Sequence, residues 1–503
     1  MFSILYTGFH MILTPSVFLL ITAGTVLGVI FGAMPGVSAS MAVALALPFA
    51  YGMAPETAVG FLAAVYSASI TGGGITAILY RVPGTPSSAP TILDGYPMAQ
   101  REGAGKALGF SLIASSAGGM IGALAMVLIC LQLSAVARRL GYAELFAIGV
   151  LGLCLLPCLD RGNIVKTMIS VLLGLLLACM GMDPFLKTPR FAWSESVFFS
   201  EIEMIPVMIG LFVAAEVLKQ TEKQRKSGKA GKSMEKRTKT VFPGAEELWE
   251  TRLTMLRSSL VGLAVGILPG AGATIASFLS YAIEKRMSRH PEQMGTGLPA
   301  GIVASEAANN AATAGSMVPL LSFGIPGGNA AAIMMTILLV KGVQVGPTLL
   351  EVRPEYLSSV FSAMFLTNIV MVIVAAVMVR GFEKLFQMPY SVLGPVILVL
   401  AAAGAYGLNQ SMRDVLLMAG AGIFGYLFIR LGYNSAALVL GLVLGQESEK
   451  NLRLAYVLNG QSLASVFSKP VTAVILAGSA GMLAYSFWKG AAAKKAKEDV
   501  LTK

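Results

Sequence analysis

Charge and histidine are what this 503-residue sequence has least of. Only 13% of its residues are Asp, Glu, Lys or Arg, and its two histidines are His10 and His290. So few ionic groups cannot solvate the surface of a soluble protein of this length. Two histidines far apart argue against a histidine metal centre or a Ser-His-Asp triad. The four cysteines, Cys130, Cys154, Cys158 and Cys179, lie in apolar runs, with Cys154 and Cys158 at helical spacing and no CxxC pair. They read as buried membrane thiols. Gly103-Ala104-Gly105-Lys106 lacks the GxxxxGK[ST] spacing of a phosphate loop, so no ATPase is expected. The N-terminus has no basic n-region, so no cleavable signal is evident.

What is present is apolar. Hydrophobic residues make up 55% of the chain, and mean hydropathy is +0.74. The expected class is an all-α polytopic membrane protein with about 11–13 transmembrane helices. Apolar segments run over 15–34, 37–52, 57–80, 107–136, 143–159, 164–182 and 203–218. A second series covers 255–283, 299–323, 329–346, 357–379, 389–407, 413–430, 433–445 and 470–488. Segments 37–52 and 433–445 are short enough to be half-helices or re-entrant pieces. The net charge of +11 is localised, with nine Lys or Arg between Lys219 and Lys239. Lys489, Lys494, Lys495, Lys497 and Lys503 load the tail. The positive-inside rule makes both regions cytoplasmic. The expected units are therefore a first half (1–218), a basic linker (219–250), a second half (251–469), and a last helix with its tail (470–503).

The halves repeat. GVIFGAMPG (28–36) and GLAVGILPG (262–270) share three glycines at four-residue spacing and a Pro before the last, Pro35 and Pro269. Ser40 and Thr274 fall at the same offset of 234. GGGITAILYRVPG (72–84) pairs with GSMVPLLSFGIPG (315–327) at offset 243. A lone GxxxG marks helix packing, but two ordered pairs of breaks point to duplication. An odd number of spans before the basic linker would invert the second half. The expected fold is two inverted repeats with broken or re-entrant helices near the midplane.

A helix starting after each Pro-Gly turns free N–H groups and roughly half a positive charge toward the break, which suits an anion. The expected substrate-binding set is Gly36, Ser38, Ser40, Gly72, Gly73, Gly84, Thr85, Thr274, Asn309, Asn310, Ser316, Gly327 and Asn329. Gly270, Asn310, Gly315 and Pro326 are the expected ion-binding set, because broken backbone and amide oxygens suit a small cation. Glu306–Gly328 is read as a polar, broken stretch interrupted at Gly315–Ser316 and at Pro326–Gly327. Arg81, set against Phe323 in the second half, reads as an interfacial anchor. Glu306 shares a helical face with Asn310 and is left open between capping, cation binding and ion pairing.

GGGITAILYRVPGTPSSAPTILDGYPMA (72–99) and LPAGIVASEAANNAATAGSMVPLLSFGIPGG (298–328) resemble TctA, the large membrane subunit of tripartite tricarboxylate transporters. LGYNSAALVLGLVLG (431–445) and NLRLAYVLNG (451–460) are similar to the same family. The resemblance implies a bacterial inner-membrane carrier for small organic di- or tricarboxylates. It implies no enzyme and no bound cofactor, only a coupling cation, sodium or proton. It implies a small TctB-like membrane subunit and a TctC-like periplasmic solute-binding protein as partners. Tyr80 and Arg81 depart from the neutral residues expected there. The alternatives are a passive organic-anion channel, which would want a continuous polar lining, and a stand-alone carboxylate symporter. An intramembrane enzyme would need a nucleophile with its base, or metal ligands, at the breaks.

Overall fold

The computed structural model describes residues 2–34, 36–137, 139–159, 164–183, 185, 188–190, 203–227, 240–288, 290–346, 349–386 and 390–501. Pro35, Asn163 and residues 228–239 of the basic linker lie outside the described residues. The first half runs α1 (Phe2–Leu13), α2 (Pro15–Ala33), α3 (Ala39–Tyr51), α4 (Pro55–Tyr80), α5 (Thr91–Met98), α6 (Ala104–Ala137), α7 (Tyr142–Leu159) and α8 (Ile164–Ala178). A hairpin of β1 (Gly181–Met182) and β2 (Pro189–Arg190) follows, antiparallel with Gly181 opposite Arg190. Then come α9 (Met204–Ile209) and α10 (Ala215–Ser227), joined by a π turn.

The second half runs α11 (Ala245–Ile267), α12 (Gly272–Met287), α13 (Pro299–Phe323), α14 (Asn329–Val340), α15 (Leu349–Val352) and α16 (Glu355–Phe386). It continues with α17 (Tyr390–Asn409), α18 (Met412–Arg430), α19 (Ser435–Leu458), α20 (Leu463–Phe467) and α21 (Pro470–Leu501). Among the described residues, eight helical stretches are long and apolar enough to cross a membrane, and four shorter apolar helices accompany them. The chain is an all-α, multi-pass membrane protein.

Two helices form the centre. In the apolar stretch of α4 every residue is buried, and α13 is buried from Gly301 to Ser322. Such helices turn no face to solvent or lipid, because protein surrounds them on all sides. Small residues set the approach distance. An added Cβ at Gly72 would lie 2.5 Å from Val29 O, and one at Gly315 2.6 Å from Leu263 O. Gly32 packs on the Ser69 backbone, and Gly266 on that of Ala312. Each pair corresponds at the two offsets found in the sequence. Backbone contact of this kind is how membrane helices gain dispersion energy without a hydrophobic driving force.

The turns correspond as well. Gly36 and Gly270 take φ of +89° and +84°, a region open to glycine and strained for other residues. Gly84 N donates to Gly73 O at 3.2 Å, and Gly327 N to Ser316 O at 3.3 Å. The counterpart of Arg81 is Gly324, not Phe323. Both cap their helices in the left-handed region, at φ of 57° and 71°. Arg81 thus occupies a glycine position. It is exposed and stacks over Tyr96 at 5.6 Å.

Two further expectations need correction. Glu306–Gly328 is not broken at Gly315–Ser316: α13 runs straight through it, as α4 does through Gly72–Gly74. The glycines there serve close packing, and only the Pro-Gly turns end helices. Residues 433–445 are not a half-helix but the first part of α19, 24 residues long. Its polar continuation stays helical because Glu449 and Arg453 fasten it to Arg190 and Asp183 of the hairpin. Segment 37–52 is the 13-residue α3, shorter than a bilayer span. Cys130 and Cys154 are buried, Cys158 and Cys179 half-buried, and all four are free thiols.

Candidate substrate site

A cavity of about 360 Å³ opens where the Pro-Gly turns of the two halves meet. From the first half it takes Ser38, Ala39 and Ser40 at the start of α3, Tyr66 and Ile70 of α4, and Thr85, Pro86 and Ser87. From the second it takes Gly270–Ile275, at the start of α12, and Gly328–Ala330, at the start of α14. Three helix starts therefore converge on one space. The Ser38 hydroxyl accepts the Met41 N–H at 3.2 Å and is bonded to Ser40 at 3.0 Å. Neither α12 nor α14 has a side-chain cap, so their first N–H groups remain available to a ligand. No Asp, Glu, Lys, Arg or His lines the cavity. Helix starts of this kind favour an anion through their backbone dipoles.

The sequence-based substrate set divides on this geometry. Ser38, Ser40, Thr85, Thr274 and Asn329 line the cavity, as does Gly270 of the ion set. Gly36, Gly84, Pro326 and Gly327 lie off its wall in the turns behind it, and Gly72, Gly73, Gly315 and Ser316 lie off it within α4 and α13. Gly327 O accepts from Gly270 N at 3.1 Å, tying the two second-half turns together. Ser316 touches the hydroxyl of Tyr66, which does line the cavity.

Asn309 and Asn310 do not line it. Both are fully buried and belong to a polar cluster around Glu306. Thr71 Oγ1 donates to Asn310 Oδ1 at 2.9 Å, and Asn310 Nδ2 to Asn309 Oδ1 at 2.9 Å. Asn309 Nδ2 donates to Glu306 Oε2 at 3.3 Å. Ser115 donates to the same oxygen at 3.0 Å, and Thr91 to Oε1. Tyr66, Ser87, Thr91, Ser115 and Thr71 escaped the sequence reading, because single hydroxyls in helices carry no pattern. Asp94 is equally buried and is satisfied locally: Oδ1 accepts from Gly295, Gly297 and Leu298 N–H, and Oδ2 from Tyr281. It fastens the loop before α13. Among the described residues no group of His, Cys, Asp and Glu is placed to hold a metal ion.

An uncharged cavity where helix starts converge, inside a multi-pass helical protein, is an arrangement known from solute transporters. The chain belongs to the tripartite tricarboxylate transporter TctA family, whose model matches residues 18–440. A relative from Agrobacterium vitis, described as an uncharacterized 52.8 kDa protein in the TAR-I ttuC' 3' region, is 33% identical over 472 residues. That match covers 93% of each chain. A second Agrobacterium vitis relative, an uncharacterized protein in the TAR-II ttuC' 3' region, is 34% identical over 215 residues. This covers 43% of the present chain and 89% of the relative. No solved structure matches.

Proposed function

We propose that this protein is the large membrane subunit of a tripartite, cation-gradient-driven carrier that imports small organic di- or tricarboxylates. The observation that carries the reading is the convergence of the α3, α12 and α14 starts on a cavity without side-chain charge. A carboxylate there meets backbone N–H groups, the hydroxyls of Ser38, Ser40, Thr85, Ser87 and Thr274, and the Asn329 carboxamide. Hydrogen bonds to a charged group contribute about 1.5–3 kcal/mol each. Without a fixed cation in the wall, the anion is held loosely enough to leave, and a coupled cation offsets its charge.

The partners in this reading are a small TctB-like membrane subunit and a TctC-like periplasmic binding protein, with the assembly in a bacterial inner membrane. The halves act as inverted repeats that rock about the cavity. The matched glycine contacts support this, and the basic stretch Lys219–Lys239 supports a cytoplasmic linker. A passive channel would want a polar lining from end to end, whereas the polar groups here gather at one place. The test is uptake of labelled succinate, malate and citrate by proteoliposomes holding this chain and both partner types. Accumulation should require a proton or sodium gradient and fall about ten- to a hundredfold in Thr274→Val and Asn329→Ala. Uptake unaffected by both changes would remove the cavity from the pathway, and downhill flux alone would favour the channel.

A further inference from the structure

Glu306 has no place in the cavity wall, yet it is a carboxyl with no exposure at all at the centre of the molecule. Its side chain meets only neutral donors: Thr91, Ser115 and Asn309, with Asn310 and Thr71 aligned behind Asn309. Several charged groups on the packed elements are engaged elsewhere. Arg257 of α11 pairs with Glu284 of α12, and Lys106 of α6 with Glu102 and Glu247. Arg81, beyond α4, lies over Tyr96, and Arg101 donates to Thr296 O. On α5, Asp94 is taken up by Tyr281 and the loop before α13. Tyr66 of α4 faces Ser316, and Cys130 of α6 faces Val318 O at 4.0 Å. A buried carboxylate without a counter-charge is costly, and inside a membrane such a group marks function by default.

Its shell can serve two protonation states. As a carboxylate, Glu306 accepts from three donors. As an acid, it can give its hydrogen to Thr91 Oγ1, whose own hydrogen then turns to Ser305 Oγ at 2.9 Å. Ser305 in turn donates to Gly301 O at 3.0 Å or Ile302 O at 3.1 Å. One hydroxyl rotation leaves no polar group unpaired in either state. Hydroxyls also lead from the cavity wall toward the start of α5. Thr85 and Ser87 line it, and Thr85 bonds Ser88 at 3.1 Å, three residues before Thr91. Gly73 and Gly74 keep this zone open. A Cβ at Gly73 would strike Thr85 and Ser88, and one at Gly74 would lie 2.8 Å from Glu306 Oε1.

We propose that Glu306 is the coupling-proton site of the transport cycle. It takes up a proton from the cavity side in one orientation of the carrier and releases it in the other. The proposal rests on the carrier reading above, and its test has a readout that does not need transport. Infrared difference spectra of the full chain in lipid, between about pH 5 and 9, should contain a protonated glutamic carbonyl band. That band should shift on carbon-13 labelling of glutamate and be missing from Glu306→Gln. Thr91→Val, which keeps the shape and removes the rotor, should move the titration midpoint by about one pH unit or more. Replacing choline chloride by sodium chloride at constant pH should leave the band unchanged. Identical wild-type and Glu306→Gln spectra, together with an unmoved Thr91→Val midpoint, would overturn the proposal. Loss of the band in sodium would overturn the proton reading and assign the site to sodium. In proteoliposomes, Glu306→Gln should lose gradient-driven accumulation of succinate, malate and citrate. Retained accumulation would also overturn it. If the wild-type chain moves none of these carboxylates, the carrier reading fails while the infrared result on Glu306 still stands.

Discussion

The two central helices, α4 and α13, share a backbone plan and differ in chemistry. Gly72 and Gly315 make equivalent contacts with α2 and α11, and both helices end in a left-handed cap before a Pro-Gly turn. Yet the positions of Glu306, Asn309, Asn310 and Ser316 are held in α4 by Ala63, Tyr66, Ser67 and Gly73. The shared part is what close helix packing and helix starts require. The unshared part is a buried carboxyl with its amide relay, present once. The cavity is accordingly lined from both halves, while α13 carries a buried carboxyl at a position where α4 has Ala63.

The sharpest way to break this comparison is at adjacent glycines of the second half. Gly328 has extended backbone at φ −172° and open space where a Cβ would stand. It lines the cavity. Gly328→Trp should therefore fold normally and abolish carboxylate uptake, as measured by unchanged thermal unfolding and lost accumulation. Gly327→Ala, one residue away, would put its Cβ 2.6 Å from Ser316 Cα and should lose stability instead. If Gly328→Trp transports, the cavity is not the substrate site.

A smaller effect tests whether the halves pack alike. Gly32→Ala and Gly266→Ala each drive a Cβ into the backbone of the facing helix, at Ser69 and Ala312. Each should destabilise by about 1–3 kcal/mol through overpacking, read as a lowered unfolding midpoint in detergent. A large loss at one site and none at the other would contradict equivalent packing.

The caps give a finer contrast. Arg81 sits at φ 57° where its counterpart is Gly324. Arg81→Gly relieves the left-handed strain but frees the unfolded chain, so a gain of at most about 1 kcal/mol is expected. Gly324→Ala should lose about 1 kcal/mol or more, since its Cβ would also stand 2.8 Å from Val345 O. Opposite signs in thermal unfolding would sharpen the comparison, and equal signs would break it.

The smallest effect lies outside the eight spans, where the hairpin meets the polar end of α19. The Arg190 hydrogen bond holds Glu449 below its usual carboxyl range, and Arg190 is itself raised, first by Glu449 and then by Asp183. A depressed carboxyl contributes stability above its unfolded value of 4.5, and this is lost as pH falls through the folded value. Arg190 stays charged throughout. Acidification should therefore loosen the hairpin, read as faster protease cleavage near Phe185, with Glu449→Gln losing that pH dependence.

Composition and the spacing of glycine and proline alone determined the class, the order of helices and the paired turns. Hydrocarbon admits few backbone solutions, so apolar length and Pro-Gly position are nearly decisive. The same pattern suggests a false break at Gly315–Ser316, because a glycine that ends a helix and one that admits a neighbour look alike in sequence. Only the tertiary structure separated Ser38, Ser40, Thr85, Thr274 and Asn329, on the cavity wall, from Asn309 and Asn310, turned toward Glu306. It also brought Thr91, Ser115 and Thr71 to that centre from three other helices. Their distances along the chain carry no periodic signal. What a buried hydroxyl bonds to depends on which helices cross at its depth, and that is decided by packing.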